Sequence, residues 1–106
     1  MPTSLPITGN GAANILDGGV GNDSLLGSAG NDRIDGGLGN NTLIGGDGND
    51  VMWAAGGADV LYGEAGDDYL EGGGGGDTYD GGSGTDTASF FWSDQGITVN
   101  LASGMG

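Results

Sequence analysis

The sequence predicts an all-β fold, a right-handed parallel solenoid whose short strands stack into two sheets with turns along both edges. Three observations predict it. Sliding the chain against itself by nine residues keeps its glycines in register from Gly9 to Ser89 without an insertion or deletion. The eighth place of each nonapeptide is apolar throughout, and the sixth is Asp or Asn throughout.

Composition sets the frame. One hundred and six residues suffice for one small domain and no second independent core. Arg33 is the sole basic residue against 15 Asp and Glu, giving a formal charge of −14. Such a surface repels nucleic acid and anionic membrane and attracts cations. With neither Cys nor His, the chain has no disulfide, no thiolate chemistry and no zinc site of the usual kind. Carboxylates and carbonyls remain, and oxygen-only ligation selects hard metals. The opening MPTSLPITGNGA carries neither a basic n-region nor an apolar run, so neither a secretory signal peptide nor a membrane span is expected.

After a lead-in over 1–8, nine tandem nonapeptides fill 9–89: GNGAANILD, GGVGNDSLL, GSAGNDRID, GGLGNNTLI, GGDGNDVMW, AAGGADVLY, GEAGDDYLE, GGGGGDTYD and GGSGTDTAS. Low-complexity disorder does not keep such a register. The first six places of each repeat are small wherever the backbone must turn tightly or take φ > 0, and the last three alternate outward, inward, outward as a short strand. Three residues cannot hold a sheet alone. Two consecutive repeats therefore make one 18-residue coil, and coils stack in parallel at roughly 4.8 Å. The inward residues are Leu16, Leu25, Ile34, Leu43, Met52, Leu61, Leu70, Tyr79 and Ala88. So thin a core does not offset the entropy of ordering so much glycine, and something else must hold the turns.

Repeats two apart share an edge. Asn14, Asp32, Asp50, Asp68 and Asp86 form one column, and Asp23, Asn41, Asp59 and Asp77 the other. Carboxylates spaced at about 5 Å repel by about 1 kcal/mol per neighbouring pair even in water, so the columns call for a cation.

The pattern G-G-x-G-x-D-x-U-x, with U apolar, resembles the repeats-in-toxin (RTX) family of secreted bacterial proteins over residues 9–89. The departures are Ala12 for the fourth-place glycine, Ala54–Ala55 for a leading glycine pair, and Asn14 and Asn41 for Asp. The resemblance implies a β-roll with Ca²⁺ between stacked turns, each ion taking a carboxylate and carbonyls from both. It further implies carbonyls from the first and third places of one turn and the second and fourth of the next. Those are Gly27 and Ala29 with Gly46 and Gly48, Gly45 and Asp47 with Glu64 and Gly66, and Gly63 and Ala65 with Gly82 and Gly84. Adjacent column members allow at most seven ions. Asp32/Asp50, Asp50/Asp68, Asp68/Asp86 and Asp59/Asp77 are flanked by two carboxylates, whereas levels with Asn14 or Asn41 lose a charge and are expected to be weaker or to use water. Asp17, Asp35, Asp47, Asp67, Asp80, Asp94, Glu64 and Glu71 lie outside the sixth place and read as solvated negative surface.

Residues 90–106 leave the repeat. Phe90, Phe91 and Trp92 are followed by Ile97, Val99 and Leu101 alternating with Thr98 and Asn100, which reads as a strand with one apolar face that caps the open solenoid end. The segment also resembles the exit sequence of RTX cassettes. On the outer faces, Leu26, Ile44 and Tyr62 make an apolar row beside Val60, and Val51, Trp53 and Tyr69 cluster on the opposite sheet. Strand propensity accounts for these residues, as does self-association through an outer face or a solenoid end.

No nucleotide loop is expected, since no Gly-Lys-Ser/Thr follows the glycines, and the regularly spaced carboxylates show no cleft, so no catalytic residues are assigned. Asn22-Asp23-Ser24 and Asn40-Asn41-Thr42 match glycosylation acceptors by composition alone. The favoured function is a calcium-binding module that folds outside the cell, in a secreted or surface protein exported by the type I route that the resemblance implies. The alternatives are an accessory module of a protease, lipase or polysaccharide-modifying enzyme, and a protein that self-assembles into a filament or surface layer.

Overall fold

The computed structural model describes residues 6–89 and 98–100, and every element in them is a three-residue strand. In chain order these are β1 (Pro6–Thr8), β2 (Ile15–Asp17), β3 (Ser24–Leu26), β4 (Arg33–Asp35), β5 (Thr42–Ile44), β6 (Val51–Trp53), β7 (Val60–Tyr62), β8 (Tyr69–Glu71), β9 (Thr78–Asp80), β10 (Thr87–Ser89) and β11 (Thr98–Asn100). β2 to β10 coincide with places seven to nine of the nine repeats. Among the described residues there is no helix, and so none that could cross a membrane.

Odd and even strands separate into two parallel sheets, in the orders β1-β3-β5-β7-β9-β11 and β2-β4-β6-β8-β10. Partners between repeats lie 18 residues apart, as in Leu25↔Leu43↔Leu61↔Tyr79. The 18-residue coil follows from this register. Each coil bonds the next beyond the strands as well. The N–H of a first-place residue donates to the ninth-place carbonyl of the following coil (Gly18 to Asp35, 2.8 Å), and a seventh-place N–H donates to the sixth-place carbonyl of the preceding one (Thr42 to Asp23, 2.9 Å).

The turn conformation explains the glycines. Gly39 has a φ of 107°, and a Cβ there would collide with the carbonyl oxygen of Gly21 one coil below. Every fourth place from Gly21 to Gly84 has positive φ, so the coils can stack this closely only with glycine there. From Gly19 to Gly82 the second place also lies at positive φ but is less strict. Ser28, Ala55 and Glu64 occupy it at 74°, 63° and 70°.

Leu16, Leu25, Ile34, Leu43, Met52, Leu61, Leu70 and Tyr79 form the buried core, as the eighth-place pattern predicts. Two residues add to that expectation. Ala54 is fully buried in the cluster, and Ile7 of the lead-in packs against it because β1 extends the first sheet from β3. Ala88 is only partly buried, β10 being the edge strand of its sheet.

Tyr79 changes the last coil. Its hydroxyl accepts the Gly72 N–H (2.6 Å) and donates to the Ser89 carbonyl (3.0 Å), standing between two groups that bond directly in the coils before. Beyond it, β11 pairs with β9 in the register Val99↔Tyr79, within the stretch read as a strand. The proposed aromatic contribution of Phe90, Phe91 and Trp92 to a cap lies outside the described residues, as do Ile97, Leu101 and Asp94.

Candidate metal centre

The sixth-place side chains form the two columns that the sequence places on the edges. Along the first, Oδ1 of Asp32, Asp50, Asp68 and Asp86 accepts the backbone N–H of Asn14, Asp32, Asp50 and Asp68 at 2.7, 2.8, 2.8 and 2.9 Å. Along the second, Oδ1 of Asn41, Asp59 and Asp77 accepts the N–H of Asp23, Asn41 and Asp59 at 2.8, 2.7 and 2.9 Å. One oxygen of each side chain therefore ties its coil to the previous one.

The other oxygen is left over. Among the described residues, Oδ2 of Asp32, Asp50, Asp59, Asp68, Asp77 and Asp86 is buried and accepts no hydrogen bond. A buried anionic oxygen without a donor is costly, and six in register are not a packing accident. Those of Asp32, Asp50, Asp68, Asp77 and Asp86 point back into their own turns, against the first-place glycine. A Cβ on Gly27 would lie 2.6 Å from Asp32 Oδ2 and 2.8 Å from the Gly45 carbonyl oxygen of the next coil. At Gly63 the same construction meets Asp68 Oδ2 at 2.5 Å and the Gly81 carbonyl at 2.8 Å. Glycine in the first place thus keeps open a cradle in which a carboxylate and a carbonyl from two coils converge. Among the described residues no three His, Cys, Asp or Glu side chains gather at one point, so carbonyls must complete any coordination shell. This donor set fits a hard, oxygen-loving cation of flexible geometry.

Electrostatics agree. Burial pushes the Asp50 carboxyl up to about 6, helped by the Asp32 charge and opposed by its backbone hydrogen bond. Burial lifts Asp59 to about 7, with Asp77 adding repulsion, and Asp68 to about 8, with Asp50 and Asp86 adding theirs. Burial raises Asp77 and Asp86 as well. Without a cation, burial therefore makes these five carboxyls hold a proton more tightly than exposed ones would.

The two asparagines behave differently. Nδ2 of Asn41 donates to the carbonyls of Gly37 (3.1 Å) and Gly39 (3.3 Å) in its own turn. Asn14 accepts the Asn10 N–H at 2.7 Å and donates to Asn10 Oδ1 at 3.1 Å. The first turn also lacks the positive-φ glycine, with Ala12 in its place, and so departs from the others as the sequence suggests.

Two sets of polar residues do more than the sequence reading assigned them. At the fifth place, Oδ1 of Asn22, Asn31, Asn40, Asn49 and Asp67 accepts the N–H of Asn40, Asn49, Ala58, Asp67 and Thr85, an outer ladder at 2.8–2.9 Å. Asn in four of the nine fifth places was the available signal. At the ninth place, Asp17, Asp35 and Asp80 accept the N–H of Gly19, Gly37 and Gly82 at 3.1 Å, closing the turn two residues on. Asp67 and these three are structural acceptors as well as surface charges.

Outside the turns, the Arg33 guanidinium lies 5.1 Å from the centre of the Trp53 ring on the outer face of the β4–β6 pair. Leu26, Ile44 and Tyr62 stand next to one another across β3, β5 and β7, as the apolar row requires.

A profile of the RTX calcium-binding nonapeptide repeat matches the chain in four overlapping copies, over residues 8–43, 26–61, 35–70 and 53–88. No curated protein and no solved structure matches the chain.

Proposed function

Because the chain belongs to the RTX calcium-binding nonapeptide repeat family, whose β-roll binds calcium and is not a catalytic fold, we propose that it is a module that folds on binding Ca²⁺ outside the cell, as a stabilising part of a secreted or surface protein. The observation that carries this reading is the row of buried, donorless Oδ2 atoms, those of Asp32 and Asp68 lying beside the first-place carbonyls of Gly45 and Gly81 in the next coil. Calcium supplies the positive charge that those oxygens lack, and the protein supplies the positions. Asp32, Asp50, Asp68 and Asp86 would hold ions on the first edge and Asp59 and Asp77 on the second, with first- to fourth-place carbonyls completing the shells. Oδ1 stays committed to the neighbouring coil, so that binding one ion fixes two coils together.

The location outside the cell is supported by the family, typical of secreted proteins, and by the chemistry. Sites built from few carboxylates and many carbonyls suit the millimolar calcium found outside cells, and a chain of charge −14 stays open where calcium is scarce. Export by the type I route accords with that order of events. No catalytic role is assigned to any residue. Calcium titration of the chelator-treated chain, followed by far-UV circular dichroism, tests the reading. A rise in β signal at sub-millimolar to millimolar calcium, with little response to magnesium, is expected. A spectrum that calcium leaves unchanged overturns it.

A further inference from the structure

We infer that the Asn41 side-chain amide is a resident substitute for calcium at its level of the roll, so that the turns of Asp23 and Asn41 close without an ion. The inference rests on the calcium reading above and concerns how this chain departs from it. Asn41 occupies the same place as the column aspartates, with Oδ1 accepting the Asp23 N–H at 2.8 Å. That bond fixes the amide orientation, because a flipped side chain would set an N–H against an N–H. Nδ2 then stands where its neighbours carry Oδ2. A Cβ on Gly36 would lie 3.0 Å from it, as one on Gly27 would lie 2.6 Å from Asp32 Oδ2.

The group at that point has changed from an acceptor to a donor. It uses both of its protons, one toward the Gly37 carbonyl and one toward the Gly39 carbonyl. These are the second- and fourth-place carbonyls that a cation shared with the preceding turn would need. A cation here would have to displace two hydrogen bonds and would lie against the positive end of an amide dipole, with one carboxylate fewer to attract it. The Gly37 and Gly39 carbonyls are satisfied as they stand. The level also separates Asp23 from Asp59 by a neutral residue, which removes the like-charge contact that makes the other levels dependent on an ion. The amide does in place what the ion does elsewhere: it presents positive charge to the carbonyls and joins a turn to the coil before it.

Counting bound calcium tests this. Equilibrium dialysis of the calcium-saturated chain and of Asn41→Asp, which is nearly isosteric, should give one more ion per chain in the variant, since it restores a carboxylate and frees both carbonyls. Equal counts would overturn the inference. A parent chain that binds no calcium would instead overturn the calcium reading as a whole, so the two failures are distinguishable. A second measurement needs no variant. In the calcium-loaded parent, the Asn41 side-chain NH₂ protons should exchange with solvent far more slowly than those of Asn22, whose Oδ1 alone is engaged. Exchange at the Asn22 rate would also overturn it.

Discussion

The two edges of the roll share one backbone and differ in what fills it. On the first, Asp32, Asp50, Asp68 and Asp86 follow one another without interruption, giving three successive levels with a carboxylate on either side. On the second, Asn41 interrupts the column, and Ala54 puts a buried methyl at the first place of the repeat that carries Asp59, where all the other repeats have glycine. The difference separates two ways of closing a turn in a glycine-rich solenoid, by an imported charge or by an amide already on the chain. On the proposed reading, the first edge concentrates the need for calcium. The second dilutes it.

Removing calcium gives the largest effect, and it should fall on the first edge. Chelation should abolish most of the β signal, and hydrogen exchange at intermediate calcium should show the backbone amides of Asp32, Asp50 and Asp68 losing protection before that of Asp23, whose N–H is held by Asn41. Simultaneous loss would mean that the edges are energetically alike.

Single substitutions come next. Asp68→Ala removes a carboxylate shared by two levels and frees the Asp50 N–H, so the calcium midpoint for folding should rise several-fold. Asn41→Ala removes no charge and should shift that midpoint much less, while reducing whatever structure persists in chelator. A calcium titration of both variants by circular dichroism decides, and equal midpoints would mean that the columns do not divide the ions as drawn.

The effect of pH is smaller and changes sign with calcium. In the metal-free roll, burial holds the carboxyls of Asp50, Asp59 and Asp68 near 6, 7 and 8, above the ordinary 3.8. A raised carboxyl value means that the folded state binds protons more tightly than the unfolded chain. Its contribution is complete below about pH 4 and disappears as the pH rises through 6 to 8. In chelator, β signal should therefore be greater at about pH 5.5 than at about pH 8.5. With calcium present the order reverses, since protons compete for the same oxygens, and the calcium midpoint should fall as the pH rises. A chelated chain whose spectrum is the same at both values would show that these carboxyls are not buried in that state.

Least of all should the edges differ in the outer ladder. Asn49→Ala on the first edge and Asn40→Ala on the second each remove one acceptor from a backbone N–H, of Asp67 and Ala58 respectively, and each should cost about 1 kcal/mol in calcium-saturated denaturation. Unequal costs would move part of the contrast from the sixth place to the fifth.

The fold was legible because a nine-residue period leaves no freedom in which side chains share a face. Once Leu25 is inward, Leu43, Leu61 and Tyr79 must follow at every second repeat, and the carboxylate columns come with them. What escaped the sequence depends on where lone pairs and protons point. Oδ1 of Asp50 turned to the Asp32 N–H and Oδ2 left bare, and the Asn41 amide turned to Gly37 and Gly39, are consequences of φ values in the turn that no spacing encodes. Asn41 reads from sequence as a weakened aspartate, and only its partners reveal a donor. β1 was hidden for another reason: Pro6–Thr8 supplies a strand without the six turn residues that mark the others.

The register of 18 residues has a mechanical consequence. Each coil adds only about 4.8 Å to the axis, yet contains roughly 60 Å of chain when drawn straight. A pull between Pro6 and Ser89 would therefore load the end coil first and release it as a unit, one rung at a time, rather than shear all the strands together. Three successive rungs on the first edge, from Asp32 to Asp86, lie between paired carboxylates, so on the calcium reading the resisting force there would follow the calcium concentration outside the protein. Stretching single molecules at two calcium levels would record this as a sawtooth of even steps whose height, and not whose spacing, changes with the ion.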